Sequence, residues 1–552
     1  MKKSMDRRQF LKYGGAGIAG LGLSTLNLPF FRMGKASAAI TSNAWQFGVM
    51  SDTQWKIGSG GDMTCATGII DALNEQFIQQ GVKFVIQVGD LCNDESVGGI
   101  RSMPTRAAHA QALYDAGIGF FPLRGNHEAS ATAASELPDL FPQTLGNGTN
   151  LNGATNFQPS DIQSLEGLTY AFDYNNIRCV MLDQFIRVDG TNYDGTSSYN
   201  NNMVDQVDWV DAMLASNTEG NHAFVFGHKN LMGQNHKDNL FGSGLTSNPG
   251  PRDQFITSLC NNRVGYYMGG HDHMHHRSLV STSDGYYKVP QIITSSNSYK
   301  FYTPKSGDDG RETPLQQELY TVGYYIVTVD GPRVTVDFYS SSHGQDYGGV
   351  SLTAASDFTF YLRERFGYSL NGEQYEVAQG ETYTSIISSF SGTIARILDG
   401  VNGNTETDSL NRDLVKTVNT GWAESDQVAD AASQIFTLWG MTDNLSLYDT
   451  DLTGPLPSED ESQETDVYTL SLTYNPRKIR ASELMRGDFA LAARNENDQW
   501  VNAVDLNTGG TKIFKRGGWK PGYDVGTYGV DARTRTVWAV LNHENDFVAK
   551  LI

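Results

Sequence analysis

At 552 residues the chain exceeds one ordinary domain and implies two or three. A net charge of −21 disfavours nucleic acid and anionic membrane surfaces as partners, and no nucleic-acid-binding surface is evident. The 39% hydrophobic and 19% charged fractions fit a folded soluble chain, and 58 glycines with 26 tyrosines favour turns and strands over long helices. Four cysteines, Cys65, Cys92, Cys179 and Cys260, form no Cys-x-x-Cys pair, which argues against a zinc ribbon or a dense disulfide framework. Buried free thiols are the plainer reading, with one or two disulfides left open.

The N-terminus reads as an address. Arg7-Arg8-Gln9-Phe10-Leu11-Lys12 resembles a twin-arginine export signal, with Asp6 where Ser or Thr is commoner. A glycine-rich apolar run from Gly14 to Leu28 follows, and Ala36-Ser37-Ala38 offers a small-residue cleavage site. The run is too short and too broken to be the roughly 20-residue span a membrane requires. Residues 1–38 are therefore expected to be a signal peptide that engages the twin-arginine export machinery. The mature chain has no transmembrane segment on this reading and is exported, periplasmic or extracellular.

From about Trp45 to Ser342 the pattern is strand, loop, amphipathic helix, strand. Ile69, Ile70, Leu73 and Phe77 predict a helix over Ala66 to Gln80, and Val204, Val207, Val210 and Leu214 predict another over Met203 to Leu214. The strand runs are continuously apolar, as expected for a sheet covered on both faces. Val322 to Val329 and Val334 to Phe338 flank Asp330-Gly331-Pro332 as a hairpin. Residues 44–343 thus read as a layered α/β domain with a partly antiparallel edge. Long polar loops are expected at Thr144 to Ser160, Asp189 to Asn202, Met232 to Arg252 and Thr303 to Thr313.

Residues 344–552 change character. Helical patterns fall at Thr393 to Leu398 and Gln427 to Leu438, and an acidic, Pro/Ser-rich linker or loop lies near 454–466. Strands are then expected at Val467 to Tyr474, Phe489 to Ala493, Trp500 to Val504 and Val537 to Leu541, giving a β-rich, sandwich-like accessory region without a catalytic constellation.

Five apolar runs in the first domain end in residues able to bind a metal. Phe47 to Met50 leads to Asp52-Thr53-Gln54, and Phe84 to Val88 leads to Gly89-Asp90. Phe120 to Leu123 leads to Arg124-Gly125-Asn126-His127-Glu128, Phe224 to Phe226 to Gly227-His228, and Val264 to Met268 to Gly270-His271-Asp272-His273. Taken singly, Asp52 or Asp90 is a turn or cap residue and His228 or His271 a satisfied core histidine. Taken together, they make an ordered set.

That order resembles the calcineurin-like metallophosphoesterase superfamily over roughly Trp45 to Ser342, with Gly125-Asn126-His127-Glu128 and Gly270-His271-Asp272-His273 as its most specific parts. The resemblance implies a metallophosphoesterase-like β-sandwich flanked by helices, and two divalent metal ions (Mn, Fe, Zn or Mg). One would take Asp52, Gln54, Asp90 and His273, the other Asp90, Asn126, His228 and His271. Such a pair, about 3.5–4 Å apart, clamps phosphoryl oxygens and acidifies a water, making a metal-bound hydroxide the nucleophile. His127 would protonate the leaving oxygen, oriented by Glu128 or another carboxylate, and Arg124 would hold a phosphoryl oxygen. Gln54 departs from the usual His of this motif, as in known branches, and supplies a harder ligand expected to disfavour zinc. Asn93, where many members have an acid, reads as a turn residue.

The expected activity is an exported phosphoric-ester hydrolase acting on a phosphoester substrate, with monoester and diester both open. Two alternatives remain at this point. One is a periplasmic 5′-nucleotidase-like enzyme, although Gly125 to Ser130 lacks that branch's Phe-Asp and Ser51-Asp52-Thr53-Gln54 replaces its Asn-Asp-x-His. The other is a non-catalytic binding protein with a structural metal site.

Overall fold

The structure, a computed structural model, describes residues 44–55, 65–93, 96–97, 100–190, 203–244, 246–298, 300–302, 304, 310–319, 321–341, 358–378, 385–388, 393–396, 419–439 and 464–552. The expected signal peptide, most of the Asp189 to Asn202 loop and the acidic stretch from 454 to 463 lie outside these residues. Among the described residues no helix is long and apolar enough to cross a membrane.

Two eight-stranded sheets organise the first part of the chain. In the first, Trp45–Met50, Phe84–Gln87 and Gly119–Pro122 run parallel, and Val322–Asp330 pairs antiparallel with Trp45–Met50. The second carries the parallel set Ile177–Leu182, His222–Gly227, Val264–Gly269 and Lys288–Ile293 at its centre. Phe47, Phe84, Phe121, Phe172, Phe224 and Phe338 come from both sheets and fill the space between them. Phe121 stacks on Phe172 at 4.4 Å, so aromatic rings supply much of the interlayer contact.

The outer faces are covered as well. Thr67–Gln80 buries Ile69, Ile70, Leu73 and Phe77 with Val85 and Tyr324 of the first sheet. Met203–Ala215 and Pro249–Asn261 place Val207, Val210, Phe255 and Leu259 with Val225 and Tyr267 of the second. Both helices expected in this part of the chain form within a residue or so of their expected ends. Gly48 shows how close the layers lie: a Cβ there would stand 2.4 Å from the Phe77 ring. The architecture is helix, sheet, sheet, helix, and continuous apolar strands follow from burial on both faces. The hairpin is present, with Asp330 paired to Arg333 across Gly331 at φ 58°.

The first sheet does not end near residue 343. Tyr361–Ser369 pairs antiparallel with Arg333–Ser341 along most of its length, and Thr393–Arg396 and Ser385–Ser388 extend the same sheet. Beyond it stand two five-stranded sheets. One is built on Glu464–Thr473 and Thr536–His543, the other on Ile435–Trp439, Phe489–Arg494 and Asn545–Leu551. Their common core includes Tyr375, Phe436, Leu470, Phe489, Val537 and Phe547. The region is β-rich, as expected, and its strands begin well before Val467.

Four local expectations are corrected. Thr393–Arg396 is a strand, and so is Ile435–Trp439, preceded by turn at 427–430. Helical spacing lost there because Phe436 and Leu438 enter the core on one face of an antiparallel strand paired with Asn419–Ala423. Thr144 to Ser160 contains the edge strand Thr155–Pro159. Trp500 to Val504 is strand only to Asn502, then a 3-10 turn. Cys65, Cys92 and Cys179 are buried free thiols and Cys260 is half-buried.

A buried histidine ties the two large sheets together. His222 donates from Nε2 to the Gly331 carbonyl at 2.8 Å, so its Nδ1 accepts from the Tyr368 hydroxyl at 3.1 Å. Burial pushes its pKa down from 6.5 to about 4. The folded chain therefore takes up this proton less readily than the unfolded one. Stability is full above about 6.5 and is lost as pH falls toward 4, by on the order of 3 kcal/mol at the limit. Urea unfolding at pH 7 and pH 4.5 is expected to show a smaller acid loss in His222→Gln than in wild type. Equal losses would remove His222 as the cause.

Candidate metal centre

The ligand-bearing residues stand at the carboxyl ends of parallel strands, where open α/β sheets form their crevices. Asp52 follows Trp45–Met50, Asp90 follows Phe84–Gln87, and Asn126 follows Gly119–Pro122. From the second sheet, His228 follows His222–Gly227, and His271 and His273 follow Val264–Gly269. The sandwich therefore brings six side chains from five strand ends to one place.

Their backbones are unusual. Asp52, Asp90, His271 and His273 have φ of 51°, 46°, 72° and 53°, a left-handed region costly for residues with a Cβ. Close packing sets the turns around them. A Cβ on Gly125 would fall 2.0 Å from Asp90 Oδ1, and one on Gly89 2.3 Å from His228 Nδ1. No side chain fits at either glycine without displacing a ligand.

Two clusters share Asp90. Donor atoms of Asp90, His228 and His271 lie within 4.8 Å of one another, as do those of Asp52, Asp90 and His273, and all are buried. Asn126 Oδ1 stands 3.1 Å from His228 Nε2, and Gln54 Nε2 is 3.0 Å from Asp90 Oδ2 and 2.9 Å from His273 Nε2. The structure thus brings Asp52, Gln54, Asp90, Asn126, His228, His271 and His273 together.

Hydrogen bonds around the ligands set their tautomers. His228 Nδ1 donates to the Val88 carbonyl at 2.9 Å and His273 Nδ1 to the Lys300 carbonyl at 2.9 Å, which leaves both Nε2 atoms as the ring nitrogens available to a cation. Asp52 accepts from the Ser51 hydroxyl and from the His271 backbone N–H. The site also carries buried polar atoms that protein groups do not satisfy: Gln54 Oε1 and His271 Nε2 have no hydrogen-bond partner. His271 Nε2 does lie 3.3 Å from Asp238 Oδ1, an ion-pair distance without hydrogen-bond alignment. Turning the Gln54 amide end over end places its oxygen against Asp90 and His273.

The electrostatics point the same way. Burial raises the Asp52 carboxyl to about 7, with Asp90 adding to the rise and His228 opposing it. Burial works in the same direction on Asp90, but His228 and His127 outweigh it and hold Asp90 well below the usual carboxylate range. Burial depresses His228, yet Asp90 and Asp52 override it and raise His228 to about 9. Burial lowers His271 to about 4 and, with Lys300, holds His273 well below its ordinary value. Two carboxylates and three imidazoles buried together without a cation must share protons. Divalent cations would neutralise the carboxylates and take the lone pairs, so these residues fit a dinuclear centre.

His127 sits at the rim, about a quarter exposed, with Nε2 3.9 Å from Asp90 Oδ2. Its Nδ1 donates to the Asn93 carbonyl at 2.6 Å, and its backbone N–H donates to Asp90 Oδ1 at 3.1 Å. Glu128 does not orient it: its carboxylate is buried and accepts the backbone N–H groups of Cys92 and Gly125, both at 2.9 Å. The Asn93 backbone carbonyl, on a residue read only as a turn, performs that role.

The expectation for Arg124 is corrected. Its guanidinium is fully buried, with Nε 2.6 Å and Nη2 2.9 Å from the two oxygens of Asp183, and Nη1 bonds the carbonyls of Glu128 and Ser130. The fork is turned inward and ties the Asn126 turn to the second sheet. Arg124→Ala leaves Asp183 buried and uncompensated, so it is expected to cost about 3–5 kcal/mol of stability. Chemical denaturation checks this; a raised KM at unchanged stability would restore a substrate role.

The cation at the mouth is instead Lys300, with Nζ 3.4 Å from His127 Nε2. Three more neighbours escaped sequence reasoning in their full role. His236 stacks on His271 at 4.1 Å and bonds Asp272 Oδ1 through Nδ1 at 2.9 Å. Tyr302 packs edge-on against His273 at 4.9 Å, and Asp238 pairs with Lys229 at 2.7 Å beside His271. None carries a motif, and only proximity in the fold reveals them.

The family model described as Calcineurin-like phosphoesterase matches residues 46–275. Comparison with curated proteins gives no match. Among solved structures, the chain is similar to GAP50, the anchor in the inner membrane complex of Plasmodium, at 12% identity and a TM-score of 0.33, covering 55% of this chain and 86% of that one. It is also similar to the purple acid phosphatase PPD1 of yellow lupin (Lupinus luteus) at 15% identity and a TM-score of 0.37, covering 55% of this chain and 53% of the lupin protein. A dimetal phosphatase from Danio rerio aligns at 14% identity with a TM-score of 0.32, over 53% of this chain and 95% of that one. The matched segment carries every candidate ligand from Asp52 to His273, and over that segment the chain is similar to the calcineurin-like phosphoesterases.

Proposed function

We propose that the chain is a dinuclear-metal phosphoric-ester hydrolase. The observation that carries this reading is the pair of buried donor clusters sharing Asp90, set at strand ends with an imidazole at their rim. Asp52, Gln54, Asp90 and His273 would hold one divalent cation, and Asp90, Asn126, His228 and His271 the other. When bound, such ions neutralise phosphoryl charge and lower the pKa of a coordinated water. His127, fixed through Nδ1 by Asn93, keeps Nε2 beside Asp90 at the rim of the cluster, placed to give a proton to the leaving oxygen. Lys300 places a positive charge beside that nitrogen, where charge builds on the phosphoryl group.

The test is hydrolysis of a chromogenic phosphomonoester and a phosphodiester by metal-stripped protein, before and after addition of Mn²⁺, Zn²⁺ or Mg²⁺. Turnover that appears with metal supports the reading, and the preferred ester assigns the class. Tight metal binding with no turnover of either ester would sink it. Gln54 adds a finer prediction. An amide oxygen is a harder donor than imidazole, so Gln54→His is expected to shift metal content toward zinc by about tenfold or more. An unchanged Mn/Zn ratio by elemental analysis would contradict this.

A further inference from the structure

One cavity is lined by none of the candidate metal ligands. It forms where the 330–333 hairpin of the first sheet meets strand ends of the two C-terminal sheets, and its volume is about 780 Å³, ample for a small ligand. Its buried wall includes Arg333, Ser433, Gln434 and Tyr474, with Glu373 half-buried beside them. Its rim carries Glu424, Asp426, Lys478 and Arg535.

Three wall side chains hold polar atoms that nothing in the protein satisfies. Arg333 is 5% exposed, and its Nη2 bonds Asp330 at 2.9 Å, but its Nε has no partner. Glu373 accepts the Gln434 backbone N–H on Oε1 at 2.9 Å, while Oε2 is buried and unpartnered. Gln434, 6% exposed, leaves Oε1 unpartnered. Buried groups of this kind are nearly always satisfied, so three on residues that line one cavity single this wall out.

The lining chemistry narrows the occupant. Glu373, Glu424 and Asp426 face Arg333, Lys478 and Arg535, three charges of each sign. A free cation meets the guanidinium of Arg333, which stands 3.6 Å from Glu424, and a free anion meets the carboxylates. Most other lining groups are hydroxyls and amides. Adjacent donors and acceptors without net charge suit a ligand whose every polar group both donates and accepts, which is the chemistry of vicinal hydroxyls. Burial also raises the Glu373 carboxyl to about 7, so near neutral pH it can offer a proton as well as accept one.

We propose that this junctional cavity is a binding site for a neutral saccharide unit, gripped by Arg333, Glu373 and Gln434 along the wall and by Glu424 at the rim. The site shares no residue with the metal centre. Titration calorimetry on the full chain tests it, with glucose, galactose and N-acetylglucosamine and their trimers as probes. Free lysine, inorganic phosphate and Ca²⁺ represent zwitterion, anion and cation. Saturable binding of at least one saccharide is expected, weakened about tenfold or more in Glu373→Gln, with phosphoester turnover unchanged. Glu424→Gln gives the same readout should Glu373→Gln fail to fold. Absence of saccharide binding, which would leave ordered water as the occupant, overturns the proposal. So does binding unaffected by either substitution, or saturation by lysine, phosphate or Ca²⁺ in place of the sugars.

Discussion

Asp90→Asn is expected to lower kcat by about 10³-fold or more and to strip metal from the protein. Asp90 is the one residue common to both donor clusters, so its substitution weakens both cation sites at once. The change is isosteric. An amide oxygen at Oδ1 can still accept the His127 backbone N–H, which Asp90 accepts at 3.1 Å, so the turn that carries His127 is retained. Circular dichroism of the variant should match wild type while elemental analysis shows metal loss. Turnover within tenfold of wild type, in a variant that has lost metal, would separate catalysis from the cluster.

The second large effect is expected at His127. Its Nε2 lies at the partly exposed rim of the cluster, 3.9 Å from Asp90 Oδ2, and its other nitrogen is fixed by the Asn93 carbonyl. A general acid matters in proportion to the proton its leaving group needs. His127→Ala is therefore expected to lower kcat about 10²–10⁴-fold for an alkyl phosphoester. For a nitrophenyl ester, which departs readily as an anion, the loss should be far smaller. Metal content should not change, because His127 belongs to neither donor cluster. Equal losses on the two esters would assign His127 to binding or structure instead of proton transfer.

The metal centre was legible because its residues follow apolar runs, and parallel strands buried on both faces announce themselves as such runs. Asp52, Asp90, His228 and the His271/His273 pair each sit within four residues of the end of an apolar strand, so sequence proximity reported spatial proximity. Arg124 shows where that reasoning stops. It adjoins the Asn126 turn in sequence, yet Asp183, 59 residues away, turns its guanidinium inward. Side-chain direction is set by partners that the local sequence does not contain. Lys300, His236 and Asp238 failed to stand out for the complementary reason: each reaches the site from a loop with no periodicity.

The same distinction holds for the fold. The helix over Thr67–Gln80 was legible because its apolar face repeats at helical spacing. The strand Ile435–Trp439 was misread because its spacing was compatible with a helix, and only pairing with Asn419–Ala423 and Asn545–Leu551 decides it. Continuation of the first sheet through Tyr361–Ser369 was invisible for the same cause, since antiparallel pairing across a long connection leaves no local mark.

The most direct measurement is the number of divalent ions per chain, taken alongside phosphoester turnover as metal is removed and restored. The account predicts two ions per chain, turnover that vanishes with their removal and returns with their replacement, and neither in Asp90→Asn. Undiminished turnover by metal-free protein would contradict it.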